Sequence, residues 1–168
     1  MEFEKILVAI DRGPQADFVF GKALHLAHRE GANLKVFHCL SLANLPLGGQ
    51  GDIYGQGLSR AGQIQQELLD RDIEAVVTWL QTYRQQAQAL QVPTELEYQI
   101  GDPGFWIREV GKTWGADLVV LGRRGRSQLA ELVLGSVSNH VVHHAKCSVL
   151  VVQGMTEEKG DRSDARAE

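Results

Sequence analysis

Residues Ala116 to Val152 read ADLVVLGRRGRSQLAELVLGSVSNHVVHHAKCSVLVV. Leu118 to Leu121 is an apolar run of the length of a buried strand, and Gly122 ends it. Gly125 follows after two residues, and Gly135 and Ser136 after nine more. Val137, Val141 and His144 then recur at helical spacing, before a second apolar run from Val149 to Val152. The order is strand, glycine loop, helix, strand. Glycine has no Cβ, so backbone can turn sharply and come close to a ligand. Ser136 is expected at the N-cap of the helix. The N–H groups that follow, with the helix dipole, favour an anion. Gly122 and Gly125 would shape one wall of a phosphate site. Gly135, Ser136 and the N–H groups of Val137 and Ser138 would form the other.

The same alternation extends upstream. Lys5 to Ile10 predicts a buried strand, and Gly13-Pro14 opens a helix that carries Phe18, Leu24, Leu26 and Ala27 and stops near Gly31. Leu34 to Leu40 predicts strand two. Ser41 to Arg60 holds glycines at 48, 49, 51, 55 and 57 with Pro46, the composition of a long flexible loop. Ala61 to Leu90 is helical in pattern, and a helix of roughly 45 Å is expected to break near Asp70 to Asp72. Pro93 closes it. Thr94 to Ile100 alternates as strand three, near a sheet edge. Gly101-Asp102-Pro103 turns the chain into a helix from Phe105 to Trp114, which Gly115 ends. Residues 154–168 are polar and charged, and predict a disordered tail behind one domain over 1–153. The strands and helices alternate, so right-handed crossovers put helices on both faces of an open parallel α/β sheet.

Composition narrows the function classes. The 168 residues suit one domain, with 43% apolar and 23% charged residues. A net charge of −4 provides no basic excess to neutralise nucleic-acid phosphates. Arg123, Arg124 and Arg126 are a local cluster, either a solvated loop or a phosphate contact. No apolar run approaches the ~20 residues of a membrane span. Glu2 and Glu4 follow Met1 where a signal peptide would be basic, so a cytoplasmic location is expected. Cys39 and Cys147 form no metal-type pair and read as small buried hydrophobes.

Several catalytic patterns fail on inspection. Gly111-Lys112-Thr113 has Trp106 where a phosphate loop would need its first glycine, and a helix precedes it. It reads as a helix C-terminus, with Lys112 against the dipole. His140 and His144 share a helix face at i and i+4, but no third metal ligand is visible and HExxH is absent. GxSxG is absent, and no nucleophile stands at interpretable spacing from a base.

Gly122-x2-Gly125-x9-Gly135-Ser136, with SVSNHVV and SVLVV behind it, resembles the ATP-binding signature of the universal stress protein family. The resemblance runs from about Phe3 to Gln153. It implies strand order 3-2-1-4-5, with a crevice between strands one and four where the winding reverses. Asp11 and Gly122 would sit at the two strand ends. By resemblance Asp11 contacts a ribose hydroxyl or the adenine amine; its other reading is a turn residue before the first helix. Arg12 and Gly13 depart from the family's usual Gly-Ser or Phe-Ser there. The main chain at Cys39 would hold adenine, Ala9 would line the pocket, and Gly101 would turn near the base. Asp102 either joins that turn or caps helix three. Arg123 would stand beside the phosphates. The implied ligand is ATP or AMP, with Mg²⁺ accompanying ATP. The implied role is regulatory, with at most slow hydrolysis. Two rivals are a nucleotide-independent interaction module and an adenylyl-transfer or pyrophosphatase-type enzyme; the latter should carry HxGH or extra acidic motifs, which are absent. The apolar edge strand 148–152 implies a homodimer, and no membrane or nucleic-acid partner is expected.

Overall fold

The computed structural model describes residues 3–41, 57–123 and 134–153. Five parallel strands form one sheet: β1 (Lys5–Ala9), β2 (Asn33–Leu40), β3 (Thr94–Ile100), β4 (Leu118–Gly122) and β5 (Ser148–Val152). Their order is β3-β2-β1-β4-β5, as the resemblance implied. Between them run α1 (Ala16–Glu30), α2 (Gly57–Ala89), α3 (Pro103–Trp114) and α4 (Ser136–His144). The central strand β1 pairs with β2 through Val8↔Val36 and with β4 through Val8↔Val120.

Side chains alternate across each strand, so the sheet has two apolar faces. Ile6, Val8, Val36 and Val120 pack under α1 and α2 with Phe20, Val76, Leu80 and Tyr83. Leu7, Phe37, Val119 and Leu121 pack under α3 and α4 with Ile107, Val110 and Val141. The amino ends are tied together by Asp117, whose carboxylate accepts the N–H of Lys5 at 2.9 Å and of Glu4 at 3.0 Å.

Three expectations needed revision. α2 does not break at Asp70 to Asp72; it runs unbroken through 33 residues, and Gln66 donates to Asp70 at 3.0 Å along the exposed face. The Gln, Glu, Leu and Arg residues around Asp70 and Asp72 are good helix formers and outweigh the two aspartates, so the polar stretch does not break the helix. Helix α2 also starts at Gly57, inside the stretch read as loop; residues 42–56 lie outside the described residues, as do residues 154–168 and the disorder expected there. Ser136 is the first helical residue of α4, and Gly135 is its N-cap. By contrast Asp102 caps α3, its Oδ1 accepting the Phe105 N–H at 2.7 Å.

Helices α3 and α4 approach closely because residue 104 is glycine. A Cβ there would lie 3.0 Å from the His140 ring. No helix among the described residues is long and apolar enough to cross a membrane.

Lys35 is a charged residue in an otherwise apolar strand, only 7% exposed. Its Nζ sits 2.8 Å from Glu97 and 3.1 Å from Glu95, across from the Trp114 ring. Burial pulls its pKa down, but the hydrogen bonds and charges of Glu97 and Glu95 outweigh it, and the value ends above the ordinary 10.5. The stabilisation is therefore complete below that value and is lost as pH rises through the folded pKa. Above about pH 10.5 the wild-type melting temperature should fall more steeply than that of Lys35→Met. Parallel melting curves would refute it.

Candidate functional site

A cavity of about 510 Å³ opens at the carboxyl end of the sheet, where β1 and β4 separate. This is the switch point of the winding, the place where open α/β sheets bind ligands. Ala9 and Asp11 line it from β1 and its loop, Phe37 and Cys39 from β2, Leu121 and Gly122 from β4, and Val137 and Ser138 from α4.

The main chain of Cys39 is placed by strand geometry. Phe37 O accepts the Ile10 N–H at 3.0 Å. Peptide groups repeat their direction every second residue, so the N–H and C=O of Cys39 point the same way, past the end of β1. They face the cavity. The Cys39 thiol points elsewhere and donates to Gly101 O at 3.6 Å. Burial, with the Asp102 charge, pushes its pKa up to about 11, so it stays a neutral thiol. Both cysteines are only partly buried.

Asp11 combines its two readings. Its Oδ1 accepts the Gly13 N–H at 3.0 Å and closes the turn before α1. A carboxylate has about four acceptor positions, so a ligand hydroxyl or amine can share it. Ser138 Oγ donates to Gly122 O at 2.7 Å and lies 3.1 Å from Arg123 O. The Gly135 N–H donates to Arg123 O at 3.0 Å, and the Arg123 N–H to Val152 O at 2.8 Å. Ser138 and Gly135 thus pin the amino end of α4 to the end of β4. That leaves the first-turn N–H groups at the crevice, where a helix has no internal acceptors for them.

Not every expected residue reaches the cavity wall. Gly101 instead shapes the turn after β3; its φ of +138° suits glycine, and its N–H donates to Leu40 O at 2.9 Å. Ile100 and Pro103 line the cavity on either side of it. Arg123, Gly135 and Ser136 border the crevice without lining it. Gly125, Arg124 and Arg126 lie outside the described residues. Among the described residues no three His, Cys, Asp or Glu side chains converge as a metal site. His140 and His144 stack at 4.3 Å between ring centroids.

The cavity also has residues that sequence reading missed. Arg12, Gln15, Ala16 and Val19 come from the start of α1, and Leu69 and Asp72 from α2. Helix α2 is about 50 Å long, against about 26 Å for β2, and it brings Leu69 and Asp72 to the cavity. Trp79 of α2 stands edge-on to His38, with the Arg12 guanidinium 5.9 Å above it.

Comparison with known proteins matches residues 2–153 to the universal stress protein family model. The chain belongs to the universal stress protein family. It is 44% identical over 153 residues to universal stress protein Sll1388 of Synechocystis, covering 91% of this chain and 99% of that one. The universal stress protein UspA of Lactobacillus plantarum superposes with a TM-score of 0.73 at 25% identity, over 90% of this chain and 99% of the other. Two further family structures share the fold. One is a complex with cAMP (TM-score 0.63, 21% identity, 91% and 98% covered). The other is an Archaeoglobus fulgidus protein in complex with dAMP (TM-score 0.60, 21% identity, 90% and 98% covered). In this universal stress protein the end of β4, the first turn of α4 and the ends of β1 and β2 meet in one crevice.

Proposed function

We propose that this universal stress protein binds an adenine nucleotide, AMP or ATP, in the crevice between β1 and β4 and acts as a regulatory switch rather than an enzyme. The carrying observation is the convergence of the Cys39 main chain, Asp11 and the amino end of α4 on one cavity. A donor–acceptor pair on extended backbone suits the edge of adenine. A carboxylate suits a ribose hydroxyl, and a helix amino terminus suits phosphate. The volume lies within the usual range for small-ligand pockets, about 300–1,000 Å³. The complexes of relatives with cAMP and dAMP support the same ligand class.

Mg²⁺ would accompany ATP. It prefers a few carboxylates plus phosphate and water over a full protein cage. Among the described residues Asp11 and Asp72 are the carboxylates on the cavity wall that could offer it an oxygen, with phosphate and water supplying the rest. Slow turnover at most is expected, because two of the ionisable groups described on the cavity wall are already engaged: Asp11 accepts the Gly13 N–H, and His38 Nδ1 lies 2.8 Å from Ile10 O. We further propose a homodimer through β5.

Titration calorimetry with AMP, and with ATP in the presence and absence of Mg²⁺, tests the ligand; absence of any heat or thermal shift would leave a nucleotide-independent interaction module. Asp11→Ala should weaken binding by about 1–3 kcal/mol, the scale of a lost charge-assisted hydrogen bond. Cys39→Val should bind almost normally, since its peptide groups remain. Loss of binding in Cys39→Val would refute main-chain recognition.

A further inference from the structure

The cavity has two halves, and the strand ends beside α3 and α4 form one. Ala9, Cys39, Leu121 and Val137 face the α3–α4 side. The other half, on the α1–α2 side, is walled by Ile10, Arg12, Gln15, Val19, Leu69 and Asp72.

Gln15 stands out among these. It is the N-cap residue of α1, yet its side chain makes no capping hydrogen bond. Its Oε1 is buried and has no hydrogen-bond partner. A buried amide carbonyl left without a protein partner is unfavourable, and native structures rarely keep one without a reason. A methionine would fill the same space without that penalty. The nearby walls from Ile10, Ala16 and Val19 are apolar. The open source of a donor is whatever occupies the cavity. The last torsion of glutamine is broad, so a small rotation turns the oxygen toward an occupant.

We propose that Gln15 is a specificity residue of this site, its amide oxygen accepting a hydrogen bond from an N–H or O–H of the bound nucleotide. The inference rests on the nucleotide reading above. Two sources on AMP supply such a donor: a ribose hydroxyl and the 6-amino group of the base. Either would reach Gln15 from the crevice, with Asp11 four positions before it on the same loop.

Titration calorimetry on the full chain separates these cases. The probes are AMP, 2′-deoxy-AMP, 3′-deoxy-AMP and purine riboside 5′-monophosphate, which lacks the amine. The proteins are wild type, Gln15→Met and Gln15→Glu. Gln15→Met should weaken AMP about 5- to 10-fold, the effect of one neutral hydrogen bond. That loss should vanish for the one analogue missing the donor, which identifies it. Gln15→Glu keeps an acceptor and should keep the preference for AMP over that analogue. Without ligand, Gln15→Met should melt at or above wild type, since an unpaired acceptor has gone. Unchanged AMP affinity in Gln15→Met overturns the assignment, as does equal weakening of all four probes. A ligand-free melting temperature several degrees lower in Gln15→Met would make the amide structural and also overturn it. Wild type that binds none of the probes removes the nucleotide reading and this assignment together; wild-type binding with a silent Gln15→Met removes this assignment alone.

Discussion

Gly135→Val is expected to weaken AMP and ATP by at least about 100-fold, the loss of two charge-assisted hydrogen bonds, with little change in fold. Gly135 sits at φ −60° and ψ 157°, extended backbone that valine adopts without strain. Its N–H to Arg123 O and its C=O from the Asn139 N–H can both persist. Exchanging glycine for valine at an N-cap costs about 1 kcal/mol, a small shift in a melting curve. The ligand meets the larger obstacle. Phosphate oxygens must come within about 2.9 Å of backbone N–H groups, and a β-branched side chain at the cap stands in that approach. Calorimetry beside a thermal melt separates the two effects. Undiminished ATP affinity in a folded Gly135→Val would remove the phosphate site from the amino end of α4.

The second large effect concerns assembly. β5 pairs with β4 on one side and is the last strand of the sheet. Its SVLVV sequence has no proline and no charge to discourage pairing with another chain. Leu150 is 40% exposed, on the α1–α2 face of β5. Two-fold pairing of this edge is antiparallel and continues the sheet into the second copy. A dimer is expected at micromolar protein, and Leu150→Lys should convert it to monomer. A charge at Leu150 also stays clear of the crevice. All carboxyl ends of a parallel sheet lie together, and Val152 O already accepts the Arg123 N–H beside the crevice. Leu150 is further away and sits open enough for a lysine to be tolerated in a monomer. Sedimentation equilibrium reads the outcome: a monomeric wild type defeats the proposal, and a dimeric Leu150→Lys moves the interface elsewhere.

The sequence was informative where one element ends and the next begins. Gly122 closes β4, Gly135 caps α4 and Asp102 caps α3, close to where spacing put these boundaries. Strand positions were readable from short apolar runs bounded by turns. Strand order was not, because it depends on which strands meet, and it came from resemblance alone. The α1–α2 half of the cavity was also unreadable. Gln15 at the cap of α1 and Leu69 and Asp72 within α2 carry no motif, and they are brought to the site by the length of α2 and by its packing beside α1 on one face of the sheet. The shift from Ser136 to Gly135 as cap is a one-residue ambiguity that Gly-Ser always leaves.

The pairing of β1 with β4 has a consequence for biosynthesis. Lys5 and Asp117, which touch at 2.9 Å, are 112 positions apart. A chain leaving the ribosome can assemble β1, α1, β2 and α2 early, since these are neighbours in order. The crevice has only one bank until β4 emerges, and no phosphate end until α4 follows. Ligand capture is therefore reserved for chains that are nearly complete. A truncated product could be partly folded yet could not hold the nucleotide, and full-length molecules alone would gain the protection that a bound ligand confers.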